Sequence, residues 1–237
     1  MRQLSTAFPA LLVTTLIAGA LVSTAAHAAE PEASAEQIQN AIDLAFGAAI
    51  TSNYISRGIT QSDDNPAFQA YMEASYGIFY AGLWGSTVDF GDDNKAEIDI
   101  YTGVRPEFGN LSLDIGYARY YYTADGDCCG EIYAKADYSV TDAFTVGGDI
   151  FHDFGLKESY LRAKSAYTLP QDFTVSGGVG TLVQLKQLDW DLGVSKTFGN
   201  FATIDLRYHG YNDDVDTTHK FAVTLSLDTS LSALKGN

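Results

Sequence analysis

Apolar and polar residues alternate one by one along most of the chain after residue 41. In the segment 188–195 (LDWDLGVS), apolar residues stand at the even positions and polar or small residues at the odd positions. A β-strand points successive side chains to opposite faces, so this pattern predicts a strand with one apolar and one polar face. About twelve such segments of roughly 10 to 12 residues follow one another, which favours an antiparallel meander. The predicted strands lie near 42–56, 67–77, 79–89, 96–106, 111–122, 131–140, 144–153, 158–169, 173–183, 188–198, 201–210 and 218–230.

The connections between these segments alternate in length. One set is very short, as at 77–78 and 199–200, and suits tight hairpins. The other set is mostly longer and acidic, as at 60–66 (TQSDDNP), 90–95 (FGDDNK) and 123–130 (TADGDCCG). Short turns at one end and long loops at the other are typical of bacterial outer-membrane barrels. We therefore predict an all-β fold, an antiparallel up-and-down transmembrane β-barrel of about 12 strands, with the short turns on the periplasmic side.

The beginning of the chain predicts export. Arg2 precedes an apolar run, and Ala26-His27-Ala28 offers small residues where a signal peptidase cleaves. We predict a signal peptide over 1–28, a polar leader over 29–40 and an outer-membrane barrel over 41–237. The predicted location is the outer membrane of a Gram-negative bacterium. The formal net charge of −16 argues against nucleic-acid binding, which needs a basic surface.

Aromatic residues flank the short turns. Tyr76 and Phe79 stand on either side of one turn, and Phe198 and Phe201 on either side of another. Amphipathic rings favour the headgroup level of a membrane, so these residues predict an interfacial girdle in contact with outer-membrane lipid. A second group of aromatic residues is expected near the opposite rim. Its members are Tyr54, Phe90, Tyr120, Tyr121, Tyr122, Tyr208 and Tyr211.

Charged residues in the middle of the predicted strands lie on the polar face of each strand, opposite its apolar face. Charges facing lipid at mid-depth are destabilising, so the polar face is expected to line the interior. The predicted pore-lining residues are Glu73, Asp99, Arg105, Lys135, Asp137, Arg162, Lys164, Asp191, Asp205 and Arg207. Acids on this face exceed bases by roughly two to one, which predicts a lumen that favours cations. Arg57 is expected at the pore mouth, either as a selective group or as a turn anchor paired with Asp63 or Asp64.

Several segments resemble the TorF family of porins, exported proteins of proteobacteria. The resemblance rests on 53–61 (NYISRGITQ), 79–90 (FYAGLWGSTVDF), 97–103 (EIDIYTG) and 113–122 (LDIGYARYYY), in this order. It implies an outer-membrane barrel with a passive pore, and the barrel assembly machinery as a partner. The family supplies no catalytic residues to transfer. The chain departs from the common aromatic ending of such barrels, since it ends with LSALKGN and Phe221 is its last aromatic residue.

The sequence shows no arrangement typical of an enzyme. It contains no Gly-x-Ser-x-Gly motif, and only three histidines follow the predicted cleavage site. We expect no catalytic residue, no metal ligand and no cofactor. Cys128 and Cys129 are adjacent and fall in a predicted outer loop.

The predicted function is passive diffusion of small hydrophilic solutes or ions through an outer-membrane pore. Two alternatives stay open at this point. One is a non-conducting structural or binding barrel that acts through its outer loops. The other is a soluble periplasmic β-barrel that binds an apolar ligand inside. The sequence predicts no oligomeric state.

Overall fold

The computed structural model describes residues 42–212 and 217–235. The predicted signal peptide (1–28), the predicted leader (29–40) and most of the last acidic loop lie outside the described residues. In order along the chain, the strands are β1 (Ile42–Thr51), β2 (Ile55–Ser56), β3 (Ile59–Thr60), β4 (Ala67–Tyr76), β5 (Phe79–Thr87), β6 (Ala96–Val104), β7 (Glu107–Phe108), β8 (Leu111–Tyr122), β9 (Gly126–Ser139), β10 (Phe144–Asp153), β11 (Glu158–Leu169), β12 (Phe173–Leu182), β13 (Gln187–Phe198), β14 (Ala202–Asn212) and β15 (Thr217–Ser230). A 3-10 turn covers Pro170–Asp172, and a short helix, α1, covers Leu231–Lys235.

The strands close into a barrel. Every wall strand pairs antiparallel with its neighbours, β1 pairs with β15, and β6 pairs with β8 to complete the ring. Three of the fifteen strands, β2, β3 and β7, have only two residues each, and the other twelve form the wall. The predicted twelve-stranded, all-β, up-and-down architecture is therefore confirmed.

Two predicted boundaries are wrong. The first strand ends at Thr51 instead of residue 56, and β9 begins at Gly126 instead of residue 131. Cys128 and Cys129, expected in a loop, therefore lie in β9 and are joined by a disulfide. The Gly and Asp content of 123–130 favours a loop locally. Hydrogen bonding to the long strand β8 overrides this local preference. Tyr120 pairs with Cys129 and Tyr121 pairs with Asp127, so Cys128 is the extra residue of a β-bulge in β9.

The outer surface of the barrel is apolar. Wall strands have 9 to 14 residues, which is the length that a tilted strand needs to cross a bilayer. Aliphatic side chains such as Leu192 (60% exposed) and Leu206 (54% exposed) point outward on these strands. The second alternative, a soluble barrel with an apolar interior, does not fit this arrangement. No helix among the described residues has the length and apolar character needed to span a membrane.

Aromatic side chains form a ring outside the short-turn end of the barrel. The exposed members are Tyr76, Phe79, Phe108, Tyr138, Tyr167, Phe198 and Phe201. Such a ring is typical of the interface between the hydrocarbon and headgroup layers. The second aromatic group is only partly a rim feature. Tyr54, Tyr120 and Tyr122 are buried inside the barrel, because they lie on the inward parity or in a loop that folds inward.

Glycines opposite tyrosines set the packing of the inner wall. Gly103 on β6 pairs with Tyr80 on β5, and Gly82 on β5 pairs with Tyr101 on β6. In each pair the hydroxyl end of the tyrosine side chain lies beside the glycine, and a Cβ atom at either glycine would collide with it. Glycine here makes room for an inward-facing aromatic ring on the neighbouring strand.

Candidate functional site in the barrel interior

The interior of the barrel carries the ionisable side chains. On β13, Asp189 and Asp191 point inward, and their side chains are 3% and 7% exposed. Their neighbours on the same strand, Leu188 and Leu192, point outward and are exposed. A barrel of this size is wide enough to hold large polar side chains inside its wall. The interior is therefore the candidate site.

Ion pairs run around the first part of the inner wall. Glu73 on β4 accepts from the guanidinium of Arg105, with Nη1 and Oε1 2.5 Å apart. Arg105 Nε lies 3.5 Å from Asp114 Oδ2 on β8, and the same oxygen lies 3.7 Å from Lys135 Nζ on β9. The Arg105 guanidinium also stacks 3.7 Å over the Tyr80 ring. Each cation here is neutralised by a carboxylate on another strand.

The ion pairs continue along the second part of the wall. Lys164 Nζ on β11 lies 2.8 Å from Asp149 Oδ1 and 3.1 Å from Asp137 Oδ2. On the other side, Arg207 on β14 binds Asp191 and its own near neighbour Asp205, with Nη2 and Asp205 Oδ2 2.9 Å apart. Arg162 on β11 also binds Asp191. The two arginines thus share one carboxylate across the strands between them.

The structure brings most of the predicted lining residues into this band. Of the ten, nine take part in the ion pairs just described. Asp99 lies elsewhere, 1% exposed on β6, two positions from the buried carboxylate of Glu97. Glu97 accepts hydrogen bonds from the hydroxyls of Tyr54, at 3.2 Å, and Tyr122, at 2.9 Å. This second acidic group belongs to the long-loop half of the interior.

One sector of the inner wall has small side chains. Where β15, β1 and β4 meet, the inward positions include Ser226, Thr224, Gly47 and Ala49. Lys220 is the only Lys or Arg on these three strands. The same sector also holds the inward side chains of Tyr71 and Asp228, which occupy the space beside Gly47.

A hairpin from the first long loop fills the long-loop half of the lumen. Residues 52–66 turn inward after β1, and β2 and β3 form a two-stranded ladder within this segment. Its residues Tyr54, Ile55 and Ser56 are 3%, 6% and 1% exposed. At the tip of this segment, Gly58 lies against the side chain of Tyr211 on β14. We call residues 52–66 the plug hairpin.

Arg57 stands at the tip of the plug hairpin and not at an open mouth. Its Nη2 donates to both carboxylate oxygens of Glu131 on β9, at 2.9 and 3.0 Å. The side chains of Arg57 and Glu131 are 4% and 7% exposed. The expected pairing with Asp63 or Asp64 is wrong. The hairpin carries Arg57 at its tip across the lumen to β9, whereas Asp64 lies at the base of the same hairpin, where Lys220 and Asn53 bind it.

Aromatic rings complete the surroundings of Arg57. The guanidinium carbon lies 4.2 Å from the centroid of Tyr160 and 5.3 Å from that of Phe151. The Tyr120 hydroxyl donates to Glu131 Oε2 at 2.9 Å, and Gln187 Nε2 donates to the Arg57 carbonyl at 3.2 Å. The guanidinium therefore sits between a carboxylate and two ring faces. We call Glu131, Tyr160, Phe151 and Tyr120 the Arg57 cage.

A polar anchor holds the base of the plug hairpin. Lys220 Nζ donates to both oxygens of Asp64 at 2.6 Å, and Asn53 Nδ2 donates to Asp64 Oδ1 at 2.6 Å. The hydrogen bond from Lys220 is the main cause that lowers the pKa of Asp64 below its ordinary value. Unlike the cage, this anchor is exposed to water.

The two halves of the interior differ in their access to water. At the short-turn end the side chains of Arg105 and Asp137 are 37% and 43% exposed. At the long-loop end Glu97, Asp99 and Glu131 are all buried. Within residues 42–212 and 217–235, the lumen is therefore open toward the short turns and filled by the plug hairpin toward the long loops.

Sequence reasoning missed the Arg57 cage. Glu131 lies 74 residues from Arg57, and no local pattern connects them. The hairpin sequence does indicate packing, because Ile55 and Ile59 lie on the two arms of a hairpin whose turn is Arg57-Gly58. Apolar residues on both sides of a tight turn indicate a packed hairpin more than a solvated outer loop.

Comparisons with known proteins agree with this fold. A family model described as a bacterial protein of unknown function (Gcw_chp) matches residues 35–235. The structure resembles the KdgM porin in complex with disordered oligogalacturonate, with a TM-score of 0.59, 10% identity, and coverage of 78% of this chain and 98% of that chain. It also resembles the NanC porin, with a TM-score of 0.50, 10% identity, and coverage of 79% and 98%. A search of curated proteins gave no match.

Proposed function

We propose a transport function for this chain, which belongs to the Gcw_chp family of bacterial proteins of unknown function. In this proposal the barrel lies in the outer membrane and passes small hydrophilic solutes or ions. The observation that carries it is the division of each wall strand into an aliphatic outer face and an ionisable inner face, as with Leu192 and Asp191. A lipid-facing exterior around a polar interior is the arrangement of outer-membrane pores. The resemblance to TorF-family porins points to the same class and stays a prediction.

The charges of the interior favour cations in this proposal. The inward cations are each bound to a carboxylate, as in the pairs of Arg105 with Glu73 and of Lys164 with Asp149. Further inward acids are held by neutral donors: Glu97 by tyrosine hydroxyls and Asp153 by backbone amides. No cation among the described residues binds these acids, so the long-loop half favours cations once displacement of the plug hairpin admits water to it.

The plug hairpin sets the conducting state. With the short turns in the periplasm, the hairpin closes the outer half of the lumen, and its displacement joins the two halves. Burial of the hairpin also favours a second candidate function, a barrel that does not conduct and binds partners through its loops. The two differ in one measurable property, the ion current through the lumen.

Planar-bilayer recording of the purified, refolded protein tests the proposal. The comparison variant replaces residues 55–60 with a Gly-Ser linker of the same length, which removes β2 and β3. We expect small or rare openings from the wild type and larger, steady currents from the variant. In a KCl gradient, the sign of the reversal potential should show cation preference. Absence of current from both proteins would support the non-conducting barrel, and an anion-selective current would contradict the charge argument.

A further inference from the structure

We propose that the Arg57 cage is a recognition site for a small guanidinium- or ammonium-bearing solute, and that Arg57 occupies this site as a tethered internal ligand. The proposal rests on the transport function above and names the solute class. The proposed site consists of Glu131, Tyr160, Phe151 and Tyr120. In the structure these four residues surround the guanidinium of Arg57.

The cage has the chemistry of a cation site. Glu131 supplies a carboxylate that both Tyr120 and Arg57 contact at 2.9 Å, and the Tyr160 ring lies 4.2 Å from the guanidinium carbon. Ring faces attract cations through their quadrupole, and the attraction grows when water is excluded. A carboxylate between ring faces selects for one positive charge on a flat or compact group.

The wider electrostatic surroundings also favour a cation. Asp189 accepts from the Tyr160 hydroxyl at 2.9 Å and feels the Arg57 charge, as does Glu158 on β11. The cations near the cage have carboxylate partners of their own: Arg162 is bound to Asp189 and Asp191, and Lys135, which lies over Phe151, is paired with Asp114. Without Arg57, the cage would hold an excess of buried negative charge. Such a site strongly favours a cationic occupant.

The backbone shows that Arg57 fits the cage under constraint. Arg57 and Gly58 both have positive φ, 45° and 80°, so Arg57 adopts a conformation that disfavours a residue with a Cβ atom. Among the described residues no acceptor faces its Nε atom, although this atom is buried. The tethered guanidinium is therefore incompletely satisfied by the cage, since only its Nη2 atom donates to Glu131. A free guanidinium can rotate to present two donors to Glu131, which is the stronger geometry.

The ion-paired band borders the cage. Lys135 lies over the ring of Phe151, with Nζ 5.7 Å from its centroid, and belongs to that band. In the proposal, a cation from the short-turn half approaches the cage past this ring. Displacement of the plug hairpin would free the cage and open the outer half in one movement.

Titration calorimetry with methylguanidinium chloride on the refolded full chain tests the proposal. In R57A the cage is vacated, and we expect binding at least about 10-fold tighter than in R57A/E131Q, which lacks the carboxylate. R57A/E107Q is the matched control, because Glu107 is an exposed carboxylate on β7 outside the cage. It should bind as R57A does. Urea, the neutral analogue of similar shape, should bind to none of them.

Equal binding by R57A and R57A/E131Q would overturn the proposal, and so would equal binding of urea and methylguanidinium. If R57A does not form a barrel, the same titration is made with Arg57→Gln, with and without E131Q. The glutamine side chain lacks the positive charge of Arg57 but keeps part of its volume. Calorimetry does not depend on current through the pore. Binding without conductance would refute transport and retain the site, whereas conductance without binding would refute the site alone.

Discussion

The guanidinium of Arg57 and the carboxylate of Glu131 meet inside the barrel, although the two residues lie 74 positions apart in the chain. Their closest atoms, Nη2 and Oε1, are 2.9 Å apart, and neither side chain is more than 7% exposed. A buried ion pair contributes less than its geometry suggests, but loss of one partner leaves the other charge buried alone. The hairpin and the wall are therefore energetically dependent on each other at this point.

Loss of the Glu131 carboxylate should release the plug hairpin. Removing one partner of a buried pair costs about 3–5 kcal/mol, and undocking lets Arg57 regain water. Trypsin cleavage after Arg57 reports the undocked fraction, and we expect E131Q to be cut more than about 100-fold faster than the wild type. E107Q should be cut at the wild-type rate. A cleavage rate in E131Q equal to that of the wild type would mean that the pair does not hold the hairpin.

Acid should loosen the anchor at the base of the hairpin. The pKa of Asp64 is lowered from its ordinary value of 3.8, mainly by the hydrogen bond from Lys220. A lowered pKa in the docked state means that the anchor stabilises docking above pH 3.8 and is lost as the pH falls through the lowered value. The measurement is the trypsin-resistant fraction after acid pulses at graded pH. D64N should lack this acid step, and a wild type with no step would contradict the anchor.

A side chain at Gly103 should destabilise the barrel. The Cβ atom of Gly103→Ala would collide with the Tyr80 ring and crowd the Ile115 carbonyl oxygen. Overpacking of this kind costs about 1–3 kcal/mol. Gly85→Ala is the control, because its Cβ would meet only the Glu97 carbonyl oxygen, at 3.3 Å. Resistance of the folded barrel to heating in SDS should fall more for G103A than for G85A, and the reverse order would refute the packing argument.

Ion selectivity should follow the charge balance of the band around Arg207. Arg207 binds Asp191 and Asp205, and Asp191 also binds Arg162, so R207A leaves Asp205 without a cation, while D205N removes that carboxylate. We expect the cation-to-anion permeability ratio of the linker variant lacking β2 and β3 to rise by about twofold with R207A and to fall with D205N. Reversal potentials in a KCl gradient measure both changes. Identical ratios would place the selective element outside this band.

The wall could be predicted from the sequence far better than the contents of the lumen. Alternation as in 188–195 depends only on local side-chain parity, and each of the twelve predicted segments corresponds to a wall strand. The predicted start of β9 is wrong because Gly126 and Asp127 favour a loop locally, while pairing with β8 extends the strand. The predicted surroundings of Arg57 are wrong for a different reason. Closure of the whole barrel brings Glu131 next to Arg57. The sequence around either residue does not indicate this long-range contact.

The plug hairpin also bears on the order of maturation. The ring closes only when β1 pairs with β15, as at Ala45 and Ser230. The hairpin begins directly after β1, yet its tip rests against Tyr211 of β14, and Asp64 binds Lys220 of β15. Docking must therefore follow placement of the last two strands. If the proposed transport function holds, a newly inserted barrel stays open until the hairpin docks, and damage to β14 or β15 would both weaken the barrel and leave its lumen unplugged.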